Sequence, residues 1–201
     1  VTGTTSVSVD EEGLTLPNAG NAGDSYASGD LSGEAVSATG DLGVLFGADG
    51  AHASAGIVLS ASGATWTQAT ATTGTLAAND NSWSLAVNAD GTYTFTLLKA
   101  LTHTLADSED DATIEVSFTA KDKDGDTKAG AFTVTVDDDA PVVTGTTSVS
   151  VDEEGLTGGN AGDSYASGDL AGEAVTASGA LGVLFGADGA HASAGIALSA
   201  S

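Results

Sequence analysis

Apolar and polar residues alternate with a period of two through the stretch from about position 80 to position 136. Trp83, Leu85 and Val87 alternate with Ser82, Ser84 and Ala86, and Asn88-Ala89-Asp90-Gly91 interrupts the pattern. It then resumes with Tyr93, Phe95 and Leu97 set between Thr92, Thr94 and Thr96. Such a period places the two sets of side chains on opposite faces of a strand, and an Asn/Asp/Gly break between two runs predicts a hairpin. A second hairpin is predicted from Ile114, Val116, Phe118 and Ala120, an Asp/Gly-rich turn over residues 121–130, and Phe132, Val134 and Val136. Residues 5–9, 42–46 and 57–60 read as further strands between Gly/Ala/Ser loops, while residues 15–40 carry little pattern. No apolar stripe of helical period occurs. About six to eight short strands with one apolar face predict an all-β, immunoglobulin-like β-sandwich.

The chain also repeats itself. Residues 1–15 return unchanged at 143–157, and residues 19–62 match 158–201 with six differing pairs, among them Ser32/Ala171 and Asp41/Ala180. The period is 142 residues before a three-residue deletion and 139 after it. Repeats of about 20–50 residues stack as solenoids, whereas this period is the size of one autonomous domain. The Pro-bearing segment at 137–143 reads as a linker, so residues 1–141 are expected to form one complete repeat. Residues 142–201 are then the N-terminal part of the next.

Charge narrows the partners. The net charge is −24, from 28 acids against four bases. That excludes nucleic acid, whose phosphates need Lys/Arg patches, and argues against docking on anionic lipid. No stretch is apolar enough to enter a membrane as a helix. Twenty of the acids are Asp and eight are Glu, and Asp belongs in turns and in sites for hard cations. Acidity of this kind also characterises salt-adapted proteomes, but that does not explain clustering. With no cysteine available, bound metal is the alternative staple for an extracellular domain.

Three clusters are candidates for Ca2+. Asp122, Asp124 and Asp126 alternate around Gly125 at the tip of the second hairpin, a spacing able to wrap one ion or to form a plain solvated turn. An EF-hand is excluded, because Gly stands fourth rather than sixth and Thr133 occupies the twelfth position. Asp137, Asp138 and Asp139 precede Ala140-Pro141 at the repeat junction; with Glu153 a short strand further on, they read either as a shared calcium site or as a solvated acidic linker. Asp107 and Asp110 in the loop LADSEDD are further candidates at the opposite end of the sandwich. Asp49, its repeat Asp188, and Asp90 read as turn residues. No catalytic constellation emerges. His52-Ala53-Ser54-Ala55-Gly56 lacks the leading Gly and following helix of a nucleophile elbow, and His103 reads as a packed or surface residue. Trp66 and Trp83 read as core anchors, and no enzyme activity is expected.

The run from Asn88 to Leu98, the strand ending in Asp122-Lys123-Asp124-Gly125-Asp126-Thr127, and Val134-Thr135-Val136-Asp137-Asp138-Asp139-Ala140-Pro141 together resemble a known bacterial module. It is the repeat of about 143 residues found in giant type I-secreted, RTX-like adhesins and biofilm-associated surface proteins of Gram-negative bacteria. The resemblance covers the whole first repeat and is most specific in its second half. It implies a calcium-stabilised sandwich used many times over as an extender, extracellular and held at the outer membrane. Such arrays project a ligand-binding region toward a host, biofilm or abiotic surface for cell adhesion. Neighbouring repeats of the same chain are then the immediate partners. Two alternatives stay open: a repeat that itself binds glycan, ice or another surface through Thr92, Thr94 and Thr96, and a subunit of a self-assembling surface fibre.

Overall fold

Strands form where the alternation is cleanest. The computed structural model describes residues 1–15, 19–21, 35–103, 110–160 and 174–199. The chain divides into two units, Val1–Pro141 with Phe185–Ser201, and Val142–Leu184. The first contains β1 (Val7–Asp10), β2 (Ser37–Asp41), β3 (Ile57–Ser60), β4 (Ala64–Gln68), β5 (Gly74–Ala78), β6 (Trp83–Val87), β7 (Thr92–Leu97), β8 (Ala112–Lys121) and β9 (Thr127–Asp137). They form a four-stranded sheet, β1-β9-β8-β3, and a five-stranded sheet, β2-β7-β6-β5-β4. The fold is nearly all β, with the two sheets packed against each other.

Both hairpins read from the alternation are present, as β6–β7 and β8–β9. Their apolar faces meet in one core. Leu85, Tyr93 and Phe95 from one sheet, and Val116 and Val134 from the other, are fully buried. The Tyr93 and Phe132 rings stack across the sheets at 4.2 Å between centroids. Burial pushes the Tyr93 hydroxyl up to about 12, and it donates to the Thr5 carbonyl.

Three expectations are corrected. Residues 42–46 are not a strand; the pairing segment is the preceding β2, and Gly43, at φ +62°, turns the chain just after it. Leu42 is nonetheless wholly buried, so its apolar signal marked core rather than strand. The turn over residues 121–130 is tighter than predicted, because β8 and β9 pair as far as Lys121↔Thr127. Finally, Trp66 is only half-buried, its indole Nε1 donating to Gln68 Oε1, whereas Trp83 is a core residue.

One close approach in the first unit makes a direct prediction. A Cβ on Gly130 would lie 2.3 Å from Cζ of Phe118, its cross-strand partner, whose side chain is buried. Gly130→Ala must displace that ring and is expected to cost about 1–3 kcal/mol. A thermal melt indistinguishable from the parent's would show that the ring is not fixed there.

The second unit holds a short antiparallel pair, β10 (Val142–Val143) with β11 (Val183–Leu184), and a 3-10 turn at Glu153–Gly155. Among the described residues, no helix is long and apolar enough to cross a membrane.

Candidate metal centres

The parallel pairing of β1 with β9 builds the first centre. Its register sets Asp10 beside Asp137, so the acids that follow each strand emerge at one edge of the sandwich. After β1 the chain folds into a 3-10 turn, Glu11–Gly13, capped by Asp10, whose Oδ1 accepts the amide of Glu12 at 2.8 Å. The connection from β7 to β8 adds His103. Asp10, Glu11, Glu12, Asp137, Asp138 and Asp139 are all buried here, and six adjacent buried acids are costly unless compensated.

Part of the compensation is local. Glu11 Oε1 accepts from the amide of Leu101 at 2.7 Å and lies 3.1 Å from His103 Nε2. His103 Nδ1 faces the carbonyl of Asp110. Both ring nitrogens therefore meet acceptors, an arrangement that fits the doubly protonated imidazolium. Burial alone would push His103 down; the hydrogen bond to Glu11, the Asp138 charge and the Asp110 carbonyl overcome it and raise it to about 9. Asp138 Oδ1 lies 3.7 Å from His103 Nε2. Burial raises Asp138 to about 6 despite the pull of His103 and of the Asp139 amide. Asp139 Oδ2 accepts from the amides of Asn21 at 3.0 Å and Ala187 at 2.7 Å.

One imidazolium does not match six acids, and no lysine helps. Lys99 Nζ donates to the Asp80 carbonyl, and Lys121, Lys123 and Lys128 belong to the β8–β9 hairpin, whose tip lies at the other end of β8. The second carboxylate oxygen of Glu11, Oε2, is buried with no hydrogen-bond partner among the described residues. Glu11, His103 and Asp138 each offer a ligand atom within 4.8 Å of the others. Carboxylate oxygens suit a hard cation and the imidazolium does not, so an ion here would be held by the acids, Glu11 Oε2 first.

The second centre is the β8–β9 turn, roughly 30 Å away along the ten residues of β8. Asp122, Asp124 and Asp126 bring one carboxylate oxygen each within 4.8 Å of the others, and this cluster could hold a metal ion. Asp122 Oδ1 accepts from the amides of Gly125 at 3.1 Å and Asp126 at 2.8 Å, and Gly125 adopts φ +108° to allow it. The carboxylates of Asp122 and Asp124 face each other and titrate together. Their hydrogen bond lowers Asp122 and, with the charge of Asp122, raises Asp124. A proton or a cation must sit between carboxylates this close.

Asp137, Asp138 and Asp139 thus assemble with Asp10, Glu11 and Glu12 of their own repeat. Glu153, the repeat counterpart of Glu11, opens the exposed 3-10 turn of the second unit. Asp110 joins the first centre through its carbonyl rather than its side chain, and Asp107 lies outside the described residues. Glu11 was not singled out in the sequence, although translating Glu153 back by one period points to it, and His103, read there as a packed or surface residue, is packed against Glu11. Asp90 is a turn residue, accepting from the Thr92 amide and hydroxyl. Asp188 too is a turn residue, between Gly186 and Gly189, and partial desolvation, then the charge of Glu11, raises its carboxyl. In both copies of the His-Ala-Ser segment the ring Nδ1 faces the amide and hydroxyl of the Ser two residues on, an exposed local turn. Compared with known proteins, the chain matches no family model, no curated protein and no solved structure.

Proposed function

We propose that the chain is part of a calcium-stabilised extender of a large secreted bacterial adhesin, immunoglobulin-like in fold, that holds a distal binding region away from the cell surface. The supporting observation is the pair of acidic centres at the two ends of one sandwich, one with a buried Glu11 oxygen that has no hydrogen-bond partner among the described residues and one with two facing carboxylates that titrate together. Asp122, Asp124 and Asp126 would hold one ion and Glu11 with Asp138 another. Bound there, Ca2+ supplies positive charge that neutralises carboxylates and so favours the folded state; it performs no reaction. The chain's residues do the rest by presenting oxygens from strand ends and turns.

Calorimetric titration with Ca2+ is the direct test. Micromolar to millimolar binding is expected, with Mg2+ much weaker because it resists dehydration and demands stricter geometry. Asp124→Asn removes one ligand oxygen's charge and should weaken one class of sites by about tenfold while leaving the other unchanged. Absence of calcium heat in the parent chain would sink the reading.

The alternative, a repeat that binds a surface itself, draws on one observation. On the outer face of the five-stranded sheet Ser37 meets Thr96 and Thr39 meets Thr94, giving an exposed hydroxyl ladder. Retention of the chain on a glycan array or on ice, lost in Thr94→Lys, would favour it over a pure spacer.

A further inference from the structure

The tetrapeptide Gly-Ala-Asp-Gly occurs at residues 47–50 and again at 186–189, in two different settings. The glycines are left-handed in both: Gly47 and Gly50 have φ +74° and +78°, Gly186 and Gly189 both +73°, and only the second loop is closed by a Gly189 amide donating to the Gly186 carbonyl at 3.1 Å. In the second copy the loop is filled. The amide of Ala187 donates to Asp139 Oδ2 at 2.7 Å, and Ala187 is 2 % exposed. A Cβ on Gly186 would lie 2.5 Å from that same oxygen, so the carboxylate rests directly on the glycine. In the first copy the loop is open: Ala48 is exposed, and a Cβ on Gly47 would meet nothing within 4 Å.

We infer that residues 47–50 form the seat for the acidic end of a preceding copy of this repeat, whose counterpart of Asp139 accepts the amide of Ala48. The seat is already braced. The amide of Lys123 donates to the Gly50 carbonyl at 3.1 Å, His52 donates to Lys121 at 3.0 Å, and Ala51 bridges to Asp122. A preformed loop loses little entropy on docking, and an amide bonded to a buried carboxylate makes a strong, charge-assisted contact. The glycine is what lets the carboxylate come close, since any side chain at position 47 or 186 would stand in its place. Every joint between copies would then be the same contact, carried by an acid after β9 and a glycine turn just ahead of β3. This rests on the tandem-extender reading, but on its repetition rather than on its calcium.

Amide exchange followed by NMR tests it. In the present chain the Ala187 amide should exchange slowly and the Ala48 amide at a loop's rate. One further copy of residues 1–142 is then joined, unlabelled, ahead of an isotopically labelled Val1, so that only the original copy is seen. The Ala48 amide is expected to slow at least tenfold, and Asp139→Asn in the added copy should reverse most of that. A second readout uses melting. Gly186→Ala and Gly47→Ala carry the same left-handed strain, so in the present chain the first should lower Tm further, because only it meets a carboxylate. Unchanged Ala48 exchange in the lengthened chain would overturn the inference, as would equal Tm losses for the two substitutions. Calcium binding retained alongside either failure would leave the extender reading standing; docking seen without any calcium effect would do the reverse.

Discussion

Chelating calcium is expected to lower the melting temperature of this chain by roughly 10 °C. A ligand present at about a hundred times its dissociation constant and bound only by the native state contributes about 2.7 kcal/mol per site, and a domain of this size moves by about 3–5 °C per kcal/mol. The first centre should dominate, because its six acids are buried whereas Asp124 and Asp126 are exposed to solvent that already screens them. Two substitutions locate the effect. Glu11→Ala removes the buried oxygen that has no partner among the described residues and should abolish most of the calcium-dependent gain. Glu153→Ala changes the same residue of the second copy, which is exposed, and should change the Tm by no more than about 1 °C. Scanning calorimetry with and without chelator decides it. Equal effects of the two substitutions would show that Glu11 holds no ion.

The chelated protein should also lose stability as the pH rises from about 6.5 to about 9.5. His103 titrates at about 9 in the folded state against an ordinary value of 6.5. A group raised on folding contributes stability that is complete below its unfolded value and lost as the pH climbs through the folded one. Its side chain is only 4 % exposed, so the contribution is not screened away and amounts to on the order of 2–3 kcal/mol. Asp138, raised from 3.8 to about 6, has the same sign over a lower window: stability is greatest below about 4 and falls as the pH rises through 6. Urea midpoints measured at several pH values with chelator present should therefore decline in two steps. His103→Gln should erase the upper step and keep the lower. A parent protein whose midpoint is flat across the upper window would show that the imidazolium is not held as the geometry indicates.

Much of the sandwich was legible because its strands announce themselves locally. The two hairpins alternate cleanly, and their side chains have only two faces to choose between. The parallel pairing of β1 with β9 was not legible, since it joins residues more than a hundred positions apart and no local pattern records it. That pairing is what turns Asp10, Glu11 and Glu12 from a capped turn into half of a buried centre. The Asp122 hairpin was readable for the opposite reason: its ligand candidates are contiguous in the chain.

The repetition separates the two kinds of information within one molecule. Asp10 and Asp152 both cap a 3-10 turn, accepting the amide two residues on at 2.8 and 2.9 Å, so identical sequence produced an identical turn. What lies around the turn differs. Val9 is 2 % exposed in a strand, while its counterpart Val151 is 55 % exposed in none; Leu59 is 2 % exposed and Leu198 81 %. Residues 143–201 match only residues 1–62, and among the described residues Val151 and Leu198 stand outside the strands that bury Val9 and Leu59. Ala48 and Ala187 reverse the pattern, the first exposed and the second buried beneath a carboxylate from the other copy. The sequence by itself determined the turns, the glycine conformations, the strand faces and the acidity, because these depend on neighbours a few residues away. Only tertiary structure decided which strands formed, which glutamate was buried and which glycine loop was filled, because each of those requires a partner from a distant part of the chain.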